Sequence, residues 1–279
     1  MHIYINGQIV SAEKAFVSVL DHGFLYGVGL FETIRVYDGK LFLWKEHAAR
    51  LMAGLSALQI KHEWTASFLE EAVRHTVEAN GRRDAYVRIS ITGGAEGVGL
   101  ISGEYEHPSL FIFTKPVPPI LEKPTAKMLK TVSFPRQTPE GRQRYKSHNY
   151  LNNVLAKQEI GAEPQVEGLF LTREGFLSEG VVSNLFWVHD HCLYTPSAEA
   201  GILDGITRHF VLALAEQLGI PWKEGLYPLE QLLTAEEAFV TNSIQEIVPI
   251  SQVDNTRLPT VYGKTTQALR EAYRNAVKM

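Results

Sequence analysis

The sequence predicts an α/β protein of two domains, an α+β domain followed by an α/β domain. Three observations lead there. At 279 residues the chain is longer than one compact core of roughly 100–200 residues. The stretch KPVPPILEKP, residues 115–124, carries four prolines, which remove backbone donors and stiffen an extended connector. Ahead of it the pattern is hairpins and amphipathic helices; beyond it strands alternate with helices. These place an N-terminal domain at 1–115, a linker at 116–124 and a C-terminal domain at 125–279.

Taken in order, HIYINGQIV alternates apolar and polar residues around Asn6-Gly7 and reads as a short hairpin. FETIRVYDGKLFLW gives a second, its two β-rich runs joined by Asp38-Gly39, a pair suited to the positive φ angles of a type I′ turn. Alternation then sets Glu32, Ile34 and Val36 on one face and Phe31, Thr33 and Arg35 on the other. KEHAARLMAGLSAL spaces Leu51, Leu55 and Leu58 at helical intervals, and SFLEEAVRHTVEANG is a helix stopped by Asn80-Gly81. AYVRISIT and SLFIFT are predicted strands. After the linker come strand AKMLKTVSF, helix YLNNVLAKQEIG, strands EGLFLT and VSNLFWV, helix ITRHFVLALAEQLG, strand EEAFVTN and a last helix from about Val261.

Composition narrows the function. With 45% hydrophobic and 21% charged residues the chain is of ordinary globular type, and a formal net charge of −4 offers no basic field for nucleic acid or an anionic membrane. Cys192 is the single cysteine, which excludes an intrachain disulfide and a multi-thiolate zinc site; no HExxH is present, and HDH at 189–191 reads as a turn. No metal is expected, and a reducing, cytoplasmic compartment is. The N-terminal MHIYINGQIV has no basic segment leading into an apolar run, and no apolar stretch approaches the roughly 18 residues that span a bilayer.

The chemistry concentrates in a few stretches. RYKSHNYLNN sets Lys146 among a serine, a histidine, tyrosines and asparagines. A lysine amine forms a Schiff base only when it can lose its proton, and such a site needs an anion cup, a carboxylate for a pyridine nitrogen and donors for a ring oxygen. ILDGITRHFV supplies a helix start after Gly205, where the amides of Ile206 and Thr207 and the Thr207 hydroxyl favour a phosphate or form a plain helix cap. VTNSIQEIVPI ends a strand with Thr241, Asn242 and Ser243, which complete the cup or serve turn chemistry. LSEGVVSNLFWV puts Glu179 before an apolar strand, where it needs a cation: a pyridinium N–H or an arginine. Arg50 lies on the first amphipathic helix, as a phosphate fork or a snorkelling side chain. FPRQTPEGRQRYK gathers Arg136, Arg142 and Arg144 ahead of Lys146, either solvated or placed to depress the lysine's pKa and attract a carboxylate. Neither GxGxxG nor GxxxxGK[ST] occurs.

Jointly, HGFLYGVGLFETIR, EHAARL, KSHNYLNN, EGVVSNLF, GILDGITR and TNSIQEIVPI resemble the fold-type IV pyridoxal-phosphate enzymes over nearly the whole chain. That family includes branched-chain and D-amino-acid aminotransferases and 4-amino-4-deoxychorismate lyases. The resemblance implies pyridoxal 5′-phosphate between two α/β domains, usually in a homodimer, with Lys146 as the Schiff-base lysine and Glu179 as partner of the pyridine nitrogen. It assigns Arg50, Ile206, Thr207, Ser243 and Asn242 to the phosphate; Tyr150, one position off the family spacing, matches a tyrosine directed at the ring oxygen. Within the family, Thr33 stands where branched-chain aminotransferases typically have glycine and the lyases a threonine thought to assist proton transfer; KSHNYLNN and TNSIQEIVPI look most like lyases of the Bacillus type. The expected activity is therefore release of 4-aminobenzoate and pyruvate from aminodeoxychorismate, with a D-amino-acid or branched-chain aminotransferase as the alternative. One departure is that AEGVGLIS, after YVRISITGG, lacks the carboxylate-gripping arginine of some members, leaving Arg142 and Arg144 as the nearest cations in sequence.

Overall fold

The computed structural model describes residues 1–117, 119–141 and 143–278. It divides into two compact units, Met1–Pro119 with Tyr145–Asn149, and Ile120–Arg144 with Tyr150–Met279. Both mix helix and strand, as expected. The boundary falls within the proline-rich connector, of which Pro118 lies outside the described residues.

The first unit comprises β1 (His2–Ile5), β2 (Gln8–Ser11), α1 (His22–Leu25), β3 (Gly29–Tyr37), β4 (Lys40–Leu41), α2 (Trp44–Ala57), α3 (Ala66–Ala79), β5 (Ala85–Thr92) and β6 (Ser109–Lys115). Its six-stranded sheet runs β2-β1-β6-β5-β3-β4, antiparallel throughout. Both predicted hairpins form, with Asn6 and Gly7 at φ 45° and 94° and Asp38 and Gly39 at 45° and 79°. The second is shorter than its sequence suggests: β4 ends at Leu41, Leu43 takes φ 55°, and the helix starts at Trp44. Leu30, Ile34 and Val36 of β3 pack with Leu51 and Leu55 of α2 and Leu69 and Val73 of α3. Ile34 and Val36 are wholly buried, each contributing about 2 kcal/mol.

The second unit comprises β7 (Lys127–Thr131), α4 (Leu151–Ile160), β8 (Val166–Leu171), β9 (Leu177–Gly180), β10 (Asn184–His189), β11 (Cys192–Pro196), α5 (Ile206–Gln217), β12 (Trp222–Gly225), α6 (Leu229–Leu233), β13 (Glu237–Asn242), β14 (Glu246–Val253), β15 (Thr256–Arg257) and α7 (Lys264–Lys278). Its sheet runs β12-β11-β10-β13-β14-β7-β8-β9, with β15 on β14. Pairing is parallel at β11–β12, β14–β7 and β7–β8 and antiparallel elsewhere, so hairpins replace several of the helical crossovers that the alternation suggests. Phe210 of α5 meets Tyr273 of α7 edge to face at 5.2 Å.

One segment departs from the predicted domain limits. Lys146 was expected within a domain running 125–279, yet Tyr145–Asn149 packs with the first unit. The reason is backbone pairing to β3: Phe31 N donates to the Lys146 carbonyl at 2.9 Å, His148 N donates to Gly29 O at 3.0 Å, and Leu30 bridges Ser147. Two glycines permit this approach. A Cβ on Gly29 would lie 2.6 Å from His148 Nδ1, and one on Gly27, at φ +70°, 2.4 Å from Asn149 Oδ1.

Candidate functional site

The assigned residues fall in both units, Thr33, Arg50 and Lys146 in the first and Tyr150, Glu179, Ile206, Thr207, Asn242 and Ser243 in the second.

In the first unit β3 separates two chemistries by its alternation. On the core face Glu32, 1% exposed, accepts from His47 Nδ1 at 2.7 Å and from Arg50 Nε and Nη2 at 2.7 and 2.8 Å. Burial pushes this carboxyl up, but the Arg50 charge and the His47 and Arg50 hydrogen bonds prevail and hold it at about 2. Arg50 is thus a fixed fork and not a loose helix arginine. The sequence signal for Glu32 is its place on the Ile34–Val36 face, where a carboxylate requires a cation.

The opposite face carries Phe31, Thr33 and Arg35. Lys146 Nζ lies 4.7 Å from the Phe31 ring centroid, and the Arg88 guanidinium lies 3.6 Å from it. Thr33 pairs with Arg88 across β3 and β5, so the half-buried threonine shares this face with both cations. Arg88 was not singled out by sequence; its sign is register, because it stands opposite Thr33. His148 is a second such residue. Burial and the Arg88 charge bring its imidazole down to about 4, and its buried Nε2 has no hydrogen-bond partner among the described residues.

In the second unit Glu179 occupies its own short strand, β9, and not the edge of the following one. It is 4% exposed; Oε1 accepts from Arg136 Nε and Oε2 from Leu203 N, both at 2.9 Å. Of the arginines expected near Lys146, Arg136 is therefore buried against Glu179. Arg144 donates to Gly201 O at 2.6 Å and to Gln137 O, and Arg142 lies outside the described residues. Tyr150 stands at the N-cap of α4.

The start of α5 has the features of an anion cup. Gly205 gives it no side-chain cap, and a Cβ there would lie 1.9 Å from Asn184 Oδ1. Ile206 and Thr207 open the helix, and Thr207 Oγ1 sits 3.4 Å from Ser243 Oγ. Asn242 takes the turn role: its Oδ1 accepts from Ile244 N at 3.0 Å and Gln245 N at 2.8 Å. An uncapped helix start, two converging hydroxyls and a buried carboxylate suit a phosphorylated pyridine. No group of three or more His, Cys, Asp or Glu among the described residues could hold a metal.

Comparison with known proteins agrees in kind. The family described as Amino-transferase class IV matches residues 29–253. The chain is 42% identical to aminodeoxychorismate lyase of Bacillus subtilis (strain 168), covering 99% of this chain and 94% of that protein. It is 38% identical to a putative branched-chain-amino-acid aminotransferase of Methanocaldococcus jannaschii, covering 99% and 96%. Among solved structures, the branched-chain aminotransferase of the thermophilic archaeon Thermoproteus uzoniensis, with norvaline, superposes with a TM-score of 0.90 at 33% identity, covering 99% of this chain and 94% of that one.

Proposed function

The chain belongs to the amino-transferase class IV family, and within it we propose a pyridoxal-phosphate lyase that converts 4-amino-4-deoxychorismate to 4-aminobenzoate and pyruvate for folate synthesis. The observation that carries this reading is the β3 face on which the Lys146 amine and Thr33 lie with Phe31. The resemblance to the Bacillus subtilis lyase supports it.

When bound, pyridoxal phosphate supplies a protonated pyridine ring that takes up the electron pair released beside the substrate amine. Arg50 held by Glu32, the amides of Ile206 and Thr207, the hydroxyls of Thr207 and Ser243, and the Asn242 turn would hold its phosphate. Glu179 would accept the ring N–H and Tyr150 would serve the ring oxygen. Lys146 Nζ would hold the aldehyde of that group and, as a free amine, would take the proton from the amine-bearing carbon of the substrate. Thr33 Oγ1 assists delivery of a proton to the departing enolpyruvyl group, whose C–O bond breaks as the ring becomes aromatic. Substrate and products balance with no water, oxidant or keto acid. We assign the cation for a substrate carboxylate to Arg88, because it shares the Thr33 face.

We also place the protein in the cytoplasm as a homodimer. Phe16, Val17, Val19 and Phe24 are exposed within one stretch, an apolar surface that a second copy would cover. No helix among the described residues is long and apolar enough to cross a membrane. The second reading is an aminotransferase that would use the same cofactor contacts, for a branched-chain amino acid as in the name of the Methanocaldococcus relative, or for a D-amino acid.

Two variants test the assignment. Lys146→Ala should abolish the visible absorbance of lysine-bound cofactor together with turnover; a variant that keeps both sinks it. Thr33→Ala should retain cofactor yet release 4-aminobenzoate at least about tenfold more slowly. Unchanged turnover would remove Thr33 from the mechanism.

A further inference from the structure

As Arg50 is matched by Glu32 within the first unit, the charge of Glu179 is already matched within the second. Its Oε1 takes Arg136 Nε at 2.9 Å, with Arg144 Nε farther off at 4.0 Å. Arg136 is 9% exposed and held on several sides. Its Nη1 donates to Asn152 Oδ1 at 2.8 Å and to Asn153 Oδ1 at 3.1 Å, its guanidinium lies 5.1 Å from the Phe170 ring centroid, and its backbone N donates to Leu171 O at 2.8 Å. The two asparagines are fixed in turn, Asn153 Nδ2 by Val181 O at 2.5 Å and Asn152 Nδ2 by Pro135 O at 3.3 Å. A chain of hydrogen bonds therefore runs from the first turn of α4 through Arg136 to the Glu179 carboxylate.

We propose that Arg136, locked by Asn152 and Asn153, is a positioning residue that holds the Glu179 carboxylate oriented for a pyridine N–H. The inference rests on the cofactor assignment above and not on the choice between lyase and aminotransferase. A carboxylate offers about four lone-pair sites. Arg136 and Leu203 N each take one at full hydrogen-bond length, and Asn184 Nδ2 stands at 3.5 Å from Oε2. The carboxylate keeps acceptor capacity for a further donor. Removing the arginine would leave a buried carboxylate without its bonded cation; among the described residues Arg144 is the other one near it, at 4.0 Å, and that side chain is bonded to Gly201 O. The paired asparagines of RYKSHNYLNN gain a purpose that helix capping does not give them, since α4 has no side-chain cap.

The test compares Arg136→Gln, Arg136→Lys and Asn153→Ala with the wild-type protein. Pyridoxal phosphate is titrated into each apoprotein, and the ring-nitrogen chemical shift is read in holoprotein loaded with 15N-labelled cofactor. Arg136→Gln should bind about ten- to a hundredfold more weakly, the range for partners that orient a ligating group. Its ring nitrogen should move toward the unprotonated value, and Arg136→Lys should restore part of both. A folded Arg136→Gln with unchanged affinity and unchanged ring-nitrogen shift overturns the proposal, because a merely structural arginine would leave that shift alone. If Arg136→Gln does not fold, Asn153→Ala decides: it keeps both charges, and a smaller shift of the same sign supports the relay while no shift overturns it. A wild-type protein that binds no pyridoxal phosphate would instead sink the cofactor assignment itself.

Discussion

Two buried glutamates, one in each unit, meet an arginine in different ways. Glu32 accepts a two-pronged fork from Arg50 and a third bond from His47. Glu179 accepts from Arg136 on one oxygen and from Leu203 N on the other, both at 2.9 Å, with Asn184 Nδ2 at a longer 3.5 Å. In the first cluster the carboxylate is closed, and its effect is to fix the direction of a partly exposed cation. In the second the arginine is the fixed element and the carboxylate retains acceptor capacity. The same pair of residue types can therefore prepare a cation in one place and an anion in another, and whether the arginine is partly exposed, as Arg50 is, or buried and held by further bonds, as Arg136 is, tells which.

That contrast predicts opposite phenotypes. The largest effect is expected from Glu32→Gln, which breaks a buried pair and should lower stability by about 3–5 kcal/mol in urea unfolding. A change below the scatter would mean that Glu32 is not closed as described. Its acid response is specific: the carboxyl sits at about 2 against an ordinary 4.5, so it contributes stability above pH 4.5 that is lost as pH falls toward 2. Glu32→Gln should flatten the stability curve in that window. Glu179→Gln should act on chemistry, lowering turnover about 10²–10³-fold while protein with cofactor bound is still recovered; near-normal turnover would break the comparison. The smallest effect concerns His148. Its imidazole is held near 4 against 6.5, so the stability it contributes above pH 6.5 is lost as pH falls toward 4, by up to about 3 kcal/mol. His148→Gln should remove that slope, and an unaltered slope would assign it to another group.

What the sequence revealed was what local chemistry determines. Asn6-Gly7 and Asp38-Gly39 specify their turns through positive φ, and Leu51 and Leu55 mark the buried stripe of α2. Gly205 marks the start of α5. The remainder depends on partners far away in the chain. Lys146 joins the first unit because its backbone pairs with β3, more than a hundred residues earlier, and Gly27 and Gly29 give no local hint of that role. Arg136 sits in a Pro/Gly loop that reads as solvated; only Glu179, 43 residues on, explains its burial. Thr33 was legible as a residue, but Arg88 beside it emerges only when β3 and β5 are set in register.

The central claim is lyase chemistry on the Thr33 face, and the most direct measurement supplies purified holoprotein with freshly generated aminodeoxychorismate and no keto acid. Equal amounts of 4-aminobenzoate and pyruvate, accumulating over many turnovers, are the predicted result. Formation of neither, by a protein that converts a branched-chain or D-amino acid once a keto acid is added, would contradict it.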